Sequence, residues 1–332
     1  MILPTKKIIV ISSLVLVIFS TCFIFSLYLF PKIKQNITKE TRNSYNYKYI
    51  NPLLECESSV VDPDKNSTAL KNSIEFIIDQ EITKNKISFA SVYYRDLNSG
   101  PWFGVNEEEY FSPASLIKVP VLMAYLKETE KDPSLLKRTI TNTKDFDYSQ
   151  QNITPNQTIE KNKKYTLGDL LERMIIYSDN AAYELLLENI DNVKVFNIYK
   201  DLDVDISKAQ QDPNGNIITV RAYASFFRIL FNASYLNEDM SEKALDILSK
   251  SQYQKGLVAG VPENITIAHK FGERQFLPSH EKQLHDCGIV YLPNKPYLLC
   301  VMSRSNNFDN ASNFIKQVSK AVYDNISKDQ SK

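Results

Sequence analysis

The order of hydrophobic patterns along the chain is the feature that most constrains its fold. Apolar residues recur at helical spacing over 69–78, and alternating apolar residues then predict strands at 87–95 and 102–105. Short helices are predicted in the middle of the chain, at 166–177, 180–188, 219–231 and 242–249. Strands return at 265–271, 285–292 and 297–303, before a closing amphipathic helix at about 308–326. This order predicts an α/β (α+β) domain in which one antiparallel sheet, built from both ends of the domain, lies with its flanking helices beside an all-helical subdomain.

Composition excludes several classes of function. The 39 Lys+Arg balance the 39 Asp+Glu among 332 residues, without a run of five like charges, so nucleic acid is not an expected partner. The four cysteines form no C-x-x-C pair, and none lies beside a histidine at zinc-ligand spacing, so no metal site is expected. The eight glycines include no phosphate-binding turn, so no nucleotide cofactor is expected.

A long apolar run near the N-terminus predicts a membrane anchor. Residues 8–30 are 23 residues without a charge, with lysines on both sides, and a helix of that length, at about 1.5 Å per residue, spans a bilayer. Its bulky end lacks the small-x-small site of a cleaved signal peptide, and the residues before Cys22 fit a lipoprotein signal poorly. We therefore predict a tail at 1–7, a transmembrane signal anchor at 8–30, a polar stalk at 31–66 and a globular domain at 67–328.

The strongest chemical motif is a serine and a lysine three residues apart. Ser115 and Lys118 begin a strongly apolar predicted helix and share one of its faces. An ammonium in apolar surroundings loses hydration, so its pKa falls, and the neutral amine can then take the proton of the Ser115 hydroxyl. Chance is the alternative explanation, since Ser134 and Lys137 repeat the spacing without any such setting.

Two further motifs follow in order along the chain. Ser178-Asp179-Asn180 lies between two predicted helices, where short polar side chains can point into a cleft; a helix cap is the plainer interpretation. At the end of a predicted strand, Lys270 supplies a positive charge and Gly272 permits the close approach of a backbone or a substrate, although a strand end explains the same residues. The occurrence of all three motifs in this order favours a shared catalytic site.

With these motifs the sequence resembles the penicillin-recognising serine hydrolases, specifically the class A β-lactamase-like branch with its β-lactamase/transpeptidase-like fold. That family carries Ser-x-x-Lys, Ser-Asp-Asn and Lys-Thr-Gly, and the resemblance covers roughly 67–328. It implies acyl transfer: Ser115 attacks a lactam or peptide carbonyl, Lys118 is the candidate base, and Ser178 passes a proton to the leaving nitrogen.

The resemblance also implies how the substrate is held. Asn180 would bind the substrate amide, Lys270 would attract its carboxylate, and Gly272 would lie against the substrate. The backbone N–H groups of Ser115 and Glu273 would form the oxyanion hole, in which each donor is typically worth about 3 kcal/mol in the transition state.

Two departures from the family pattern concern the substrate and deacylation. Phe271 stands where the family has Thr or Ser, so a hydroxyl that would help to hold a substrate carboxylate is missing. The Glu-x-x-Leu-Asn segment that activates water in class A enzymes is also missing from the sequence, and Asp212 is the nearest candidate deacylation base. A turn built from Asp-Pro-Asn-Gly explains Asp212 without catalysis and is the favoured interpretation.

The combined prediction is a monomeric serine acyl-transfer hydrolase without a cofactor, acting on β-lactams or on D-Ala-D-Ala-type peptidoglycan peptides. Flanking charge does not decide the orientation of the anchor, so the chemistry assigns the domain to the outside of the membrane, in a bacterial cell envelope. A catalytically weak module that binds or senses peptidoglycan is the alternative, motivated by Phe271. A glutaminase of related fold is a third possibility, against which the compartment argues.

The pairing of two cysteines depends on the register of one predicted hairpin. If Leu292 opposes Lys295, Cys287 and Cys300 lie directly opposite and a disulfide is feasible. If Leu292 opposes Tyr297, the two cysteines are diagonal and too far apart for unstrained geometry. Two buried thiols in the sheet are the alternative in either register.

Overall fold

The computed structural model describes residues 36–42, 47–60, 65–202, 204, 212, 214–277 and 279–328. The tail at 1–7 and the anchor predicted at 8–30 therefore lie outside the described residues. Within the described part of the chain, no helix has both the length and the apolar character needed to cross a membrane.

The predicted helices and strands occur in the predicted order, and the structure contains further short elements between them. The strands are β1 (Asn36–Arg42), β2 (Leu53–Val60), β3 (Phe89–Asp96), β4 (Trp102–Val105), β5 (Tyr110–Phe111), β6 (Thr139–Thr141), β7 (Lys164–Thr166), β8 (Ile218–Thr219), β9 (Ile267–Gln275), β10 (Lys282–Val290) and β11 (Tyr297–Ser305). The helices are α1 (Lys65–Thr83), α2 (Lys118–Lys131), α3 (Leu167–Ile176), α4 (Asn180–Leu187), α5 (Asn192–Asp201), α6 (Val220–Phe231), α7 (Glu238–Ser249) and α8 (Phe308–Lys328).

The main sheet is built from both ends of the domain, as predicted. In the described residues it has five antiparallel strands in the order β4-β3-β11-β10-β9, so that β11 pairs directly with β3. One face packs against α1 and α8, and the other packs against the helical block. Because both faces are covered, β10 and β11 are buried over almost their whole length. The sheet ends at β9, which forms one wall of the site described below.

The helical block is centred on α2. Residues 118–126 of this helix are all buried, which explains why its apolar character runs around the whole helix. Side-chain caps begin the surrounding helices: the Thr166, Asp179 and Thr219 side chains accept backbone N–H groups of the following turn. Helix α7 begins four residues earlier than predicted, because the Asn237 side chain accepts from Met240 N, although the apolar periodicity starts only later.

The predicted stalk contains ordered structure. Strands β1 and β2 pair antiparallel within it, and Tyr49 and Ile50 are buried in the core that holds the helical block. The carboxylate of Glu242 in α7 accepts the backbone N–H groups of residues 48, 49 and 50 at 2.9, 2.9 and 3.0 Å. The polar composition of residues 31–66 predicted a linker. The Glu242 carboxylate nevertheless holds residues 48–50 against α7, although it lies 192–194 residues away along the chain.

Replacing Glu242 with alanine is expected to release this segment from α7, because three backbone donors lose their acceptor. Hydrogen exchange of the amides of residues 48–50 should accelerate by about tenfold or more, since a hydrogen bond to a charged group is worth about 1.5–3 kcal/mol. Lys243→Ala, on the same helix, is the control and should leave that exchange unchanged. Equal protection in the Glu242 variant would show that packing alone holds the segment.

The hairpin of β10 and β11 takes the first of the two registers considered. Lys295 N donates to Leu292 O at 3.0 Å, and Cys287 lies directly opposite Cys300. Both cysteines are nevertheless free and buried, and burial raises the pKa of each thiol. The structure thus corresponds to two buried thiols in the sheet.

Candidate active site

The candidate nucleophile lies in a tight turn just before α2. Ser115 belongs to the 3-10 turn Ala114–Ile117 rather than to the α-helix itself, and Ala114 has a φ of +47°, a conformation that is uncommon for a residue with a side chain. The turn is fixed to the helical block by Leu116. This residue is fully buried, and its carbonyl oxygen accepts a hydrogen bond from the Tyr223 hydroxyl at 3.0 Å. Ser115 is left partly exposed on the surface of the helical block.

Lys118, the first residue of α2, provides a buried amine on the same side of the block. Its Nζ donates to Asn180 Oδ1 at 2.6 Å, to Ser178 O at 2.7 Å and to Ser178 Oγ at 3.2 Å. Burial lowers the pKa of Lys118 to about 7, against the opposing effect of the charges on Asp179 and Glu273. This is the direction that the sequence predicts, and near pH 7 it leaves about half of the molecules with a neutral amine.

Ser178 links two lysines. Its hydroxyl oxygen accepts from Lys118 Nζ and, at 2.9 Å, from Lys270 Nζ, and its backbone has a φ of +57°. Lys270 is fully buried and also donates to Phe271 O at 2.9 Å. Burial, reinforced by the charge on Lys118, holds the pKa of Lys270 well below its ordinary value. An anionic substrate group beside Lys270 would favour its charged form.

Asp179 is the structural centre of the Ser-Asp-Asn motif. It is fully buried, and its Oδ1 accepts from Ala181 N at 2.9 Å, which caps α4, and from the Tyr148 hydroxyl at 2.8 Å. Its Oδ2 accepts from Ile159 N at 2.9 Å. The motif is therefore both a helix cap and a component of the site, since the cap orients Ser178 and Asn180 toward Lys118.

Strand β9 closes the other side of the site. A Cβ added to Gly272 would lie 3.0 Å from Pro113 O and 3.1 Å from Leu116 N, so glycine permits the close approach of this strand to the turn of Ser115. The carboxylate of the next residue, Glu273, accepts from residues 152 and 153 of a loop on the helical side. Sequence reasoning assigned a role only to the backbone of Glu273, because no local signal pairs residues 121 positions apart.

Phe271 changes the environment of Lys270. The ring stacks on Tyr253 with centroids 4.3 Å apart and planes at 22°. Lys270 Nζ lies 4.2 Å from the centroid of the Phe271 ring, a distance typical of a cation–π interaction. The position at which the family carries a hydroxyl thus bears a buried aromatic ring against the amine.

Asp212 forms a turn. Its Oδ1 accepts from Asn214 N at 2.7 Å, its Oδ2 accepts from Asn216 Nδ2 at 3.3 Å, and its carbonyl accepts from Gly215 N at 2.9 Å. Within the described residues these side-chain partners all belong to the turn, which is the plainer of the two sequence interpretations. A role for Asp212 in deacylation stays a prediction.

Two buried histidines lie in strands β9 and β10, next to the site. His269 Nδ1 lies 2.7 Å from Asp286 Oδ1, and His285 Nε2 donates to Ser112 O at 3.0 Å, just before the turn of Ser115. Burial lowers the pKa of His285 to about 4, so this ring is neutral at physiological pH. Among the residues that the structure describes, no group of three or more His, Cys, Asp or Glu side chains is arranged to hold a metal ion.

Comparison with known proteins shows the family of the chain. The model of the Beta-lactamase enzyme family matches residues 70–326. The chain is 24% identical over 299 residues to a beta-lactamase of Bacteroides uniformis, covering 82% of this chain and 96% of that protein. It is 23% identical over 235 residues to Beta-lactamase VEB-1 of Pseudomonas aeruginosa, covering 65% and 77% of the two chains.

Solved structures show the same fold. PBP-A, in the acyl-enzyme complex of a mutant with penicillin G, is 24% identical with a TM-score of 0.65 and covers 81% of this chain and 100% of its own. The TLA-1 extended-spectrum beta-lactamase is 20% identical with a TM-score of 0.66, covering 79% and 99%. The predicted fold class and the predicted family are confirmed. Because the family model matches well over half of the sequence, the chain belongs to the Beta-lactamase enzyme family, and it is a serine hydrolase.

Proposed function

We propose that the chain is a serine acyl-transfer hydrolase that forms an acyl-enzyme on Ser115 with β-lactams or with D-Ala-D-Ala-type peptidoglycan peptides. The observation that carries the proposal is the buried amine of Lys118, which lies three residues after Ser115 and has a pKa of about 7. An amine with a pKa near the working pH is a suitable general base. The relatives named beta-lactamase and the penicillin complex of PBP-A support this substrate class.

In the proposed acylation, Lys118 is the general base and Ser178 is the proton donor. The neutral Lys118 amine takes the proton of Ser115 Oγ as that oxygen attacks the carbonyl carbon, and the carbonyl electron pair moves to oxygen. The backbone N–H groups of Ser115 and Glu273 stabilise this oxyanion. When the carbon–nitrogen bond breaks, Ser178 donates its hydroxyl proton to the leaving nitrogen and regains one from the Lys118 or Lys270 ammonium, to which it is hydrogen bonded.

Deacylation is proposed to be slow. The sequence lacks the Glu-x-x-Leu-Asn segment that activates water in class A enzymes, and the Asp212 carboxylate is engaged by its own turn. A covalent intermediate on Ser115 should therefore accumulate, as in the penicillin complex named for PBP-A.

The proposed location is the outer face of a membrane, in a bacterial cell envelope, with the enzyme as a monomer. The uncharged run at 8–30 supports an anchor, and the proposed substrates support the outer side of the membrane. A protease-protection assay on intact cells, read with an antibody to the catalytic domain, tests the orientation.

The nucleophile is tested by intact-mass spectrometry of the full chain in detergent micelles with benzylpenicillin. We expect an adduct of the mass of the penicillin on the wild-type chain and none on Ser115→Ala, because only an activated hydroxyl attacks the lactam. Ser134→Ala is the matched control, since exposed Ser134 and Lys137 share the same spacing. An adduct of equal yield on Ser115→Ala would refute the assignment.

The same assay separates the alternative of a catalytically weak binding module. That alternative is favoured by Phe271, whose buried ring lies against Lys270. Saturable binding of a D-Ala-D-Ala peptide without any covalent adduct would support the binding module. An adduct that decays with release of hydrolysed penicillin would instead establish β-lactam hydrolysis.

A further inference from the structure

The Glu273 carboxylate connects strand β9 of the sheet to a loop on the helical side. Its Oε1 accepts from Asn152 N at 2.8 Å and Ile153 N at 3.2 Å, and its Oε2 accepts from Asn152 Nδ2 at 2.8 Å. Glu273 follows Gly272, which lies against the turn that carries Ser115. The Glu273 carboxylate therefore lies one residue along β9 from the glycine that contacts this turn, and its hydrogen bonds connect the strand to the loop of residues 152 and 153.

The same loop is attached to the Ser-Asp-Asn motif on the helical side. Gln151 Nε2 donates to Ser178 O at 3.2 Å, whereas Gln151 Oε1 is buried without a hydrogen-bond partner in the described structure. A buried acceptor without a donor is unfavourable, so a donor supplied by a ligand would stabilise it. Gln151 and Glu273 thus provide two acceptors at the loop of residues 151–153.

The Glu273 carboxylate also acts electrostatically on the catalytic amines. Its charge raises the pKa of both Lys118 and Lys270, against the larger effect of their burial. The carboxylate is only partly buried. An ionised carboxylate accepts about four hydrogen bonds, so the three described bonds leave capacity for a further donor.

We propose that Glu273 is a specificity-determining residue whose carboxylate selects acyl donors that carry an ammonium group on the acyl side chain. This inference rests on the proposed function, because it concerns substrates that acylate Ser115. In the bound substrate, the ammonium group donates a hydrogen bond to the Glu273 carboxylate. This bond forms in addition to, or in place of, the bonds from the backbone N–H groups of residues 152 and 153. An acyl side chain with a carboxylate is repelled by the same group.

The test compares acylation by two penicillins of similar size and opposite side-chain charge. Ampicillin carries an ammonium group on its acyl side chain and carbenicillin carries a carboxylate there; benzylpenicillin is the neutral reference. The second-order rate constant of acylation of Ser115 is measured by intact mass on the full chain in detergent. We expect wild type to prefer ampicillin over carbenicillin, and Glu273→Gln to reduce that ratio by about tenfold, since the substitution removes the charge and keeps the backbone N–H.

Two further variants distinguish selection by charge from a mechanical role of the loop. Glu263→Gln, at an exposed position in the turn before β9, changes the net charge equally and should leave the ratio unchanged. Asn152→Ala removes one donor to Glu273 and keeps the carboxylate. It should change all three rate constants by a similar factor and preserve the ratio.

The outcomes separate this inference from the proposed function. If none of the three penicillins acylates wild-type Ser115, the proposed function fails and the inference fails with it. If all three acylate Ser115 and Glu273→Gln leaves the ratio of ampicillin to carbenicillin unchanged, the inference alone fails. A ratio that falls equally in Glu263→Gln would show a general effect of net charge and would also overturn it.

Discussion

Acylation of Ser115 is expected to slow by about 10²- to 10⁴-fold when Lys118 is replaced by methionine, because the variant lacks the general base. Methionine matches the lysine stem in length and polarity, and so it fills the buried space around residue 118. The rate constant is measured by intact mass with benzylpenicillin on the full chain. Lys137→Met, at the exposed second Ser-x-x-Lys spacing, is the control and should acylate at the wild-type rate.

The pH dependence gives an independent readout of the same residue. Only the neutral amine of Lys118 accepts a proton, so the rate of acylation should rise with pH up to about 7, where its pKa lies, and then level off. Well below that pKa the rate should fall about tenfold per pH unit, because the neutral fraction does. A wild-type profile that stays flat between pH 5.5 and 8.5, or a Lys118→Met variant that acylates at full rate, would contradict this role.

The second large effect is expected on stability, from Asp179→Ala. The substitution removes the acceptor of three donors: Ala181 N, the Tyr148 hydroxyl and Ile159 N. Because this carboxylate is fully buried, its removal should lower the free energy of unfolding by about 3 kcal/mol or more, since each of the three donors left without an acceptor costs about 1–3 kcal/mol. Urea denaturation followed by circular dichroism measures this change.

A graded control accompanies that variant. Tyr148→Phe removes only the donor of the 2.8 Å bond to Asp179 Oδ1 and should lower the free energy of unfolding by about 1.5–3 kcal/mol, the value of one hydrogen bond to a charged group. If Asp179→Ala lowered the free energy of unfolding no more than Tyr148→Phe, the carboxylate would not be the centre of this loop.

The loss of Asp179 should also lower the pKa of Lys118 further, since the charge on Asp179 opposes the effect of burial.

Much of the fold was predictable because helices and strands leave local patterns. The strands β3, β4, β9, β10 and β11 and the capped helix α3 appear in the sequence as alternation, periodicity and a Thr-x-x-Asp signal. The start of α7 was placed too late because Asn237 caps a first turn that has no apolar stripe. Burial of Tyr49 and Ile50 could not be foreseen, since their partner Glu242 is remote along the chain.

The candidate site divides in the same way. The chemistry of Ser115 and Lys118 follows from residue type and spacing, whereas the roles of Ser178, Asn180 and Lys270 are implied by the resemblance to the family. The contribution of the Glu273 side chain does not, because it depends on a hydrogen bond to Asn152 across the cleft. The burial of Asp179 beneath its loop likewise depends on packing between separate elements.

The sequence by itself determined the strands of the main sheet, most of the helices, the family, and the position of the acyl-transfer motifs, since these depend on neighbours within a few positions. Only the tertiary structure decided the pKa of Lys118, the convergence of Lys118 and Lys270 on Ser178, and the strand register that places Cys287 opposite Cys300 as two free thiols. The physical reason is that desolvation, charge and strand register arise from groups that are brought together by folding and are far apart along the chain.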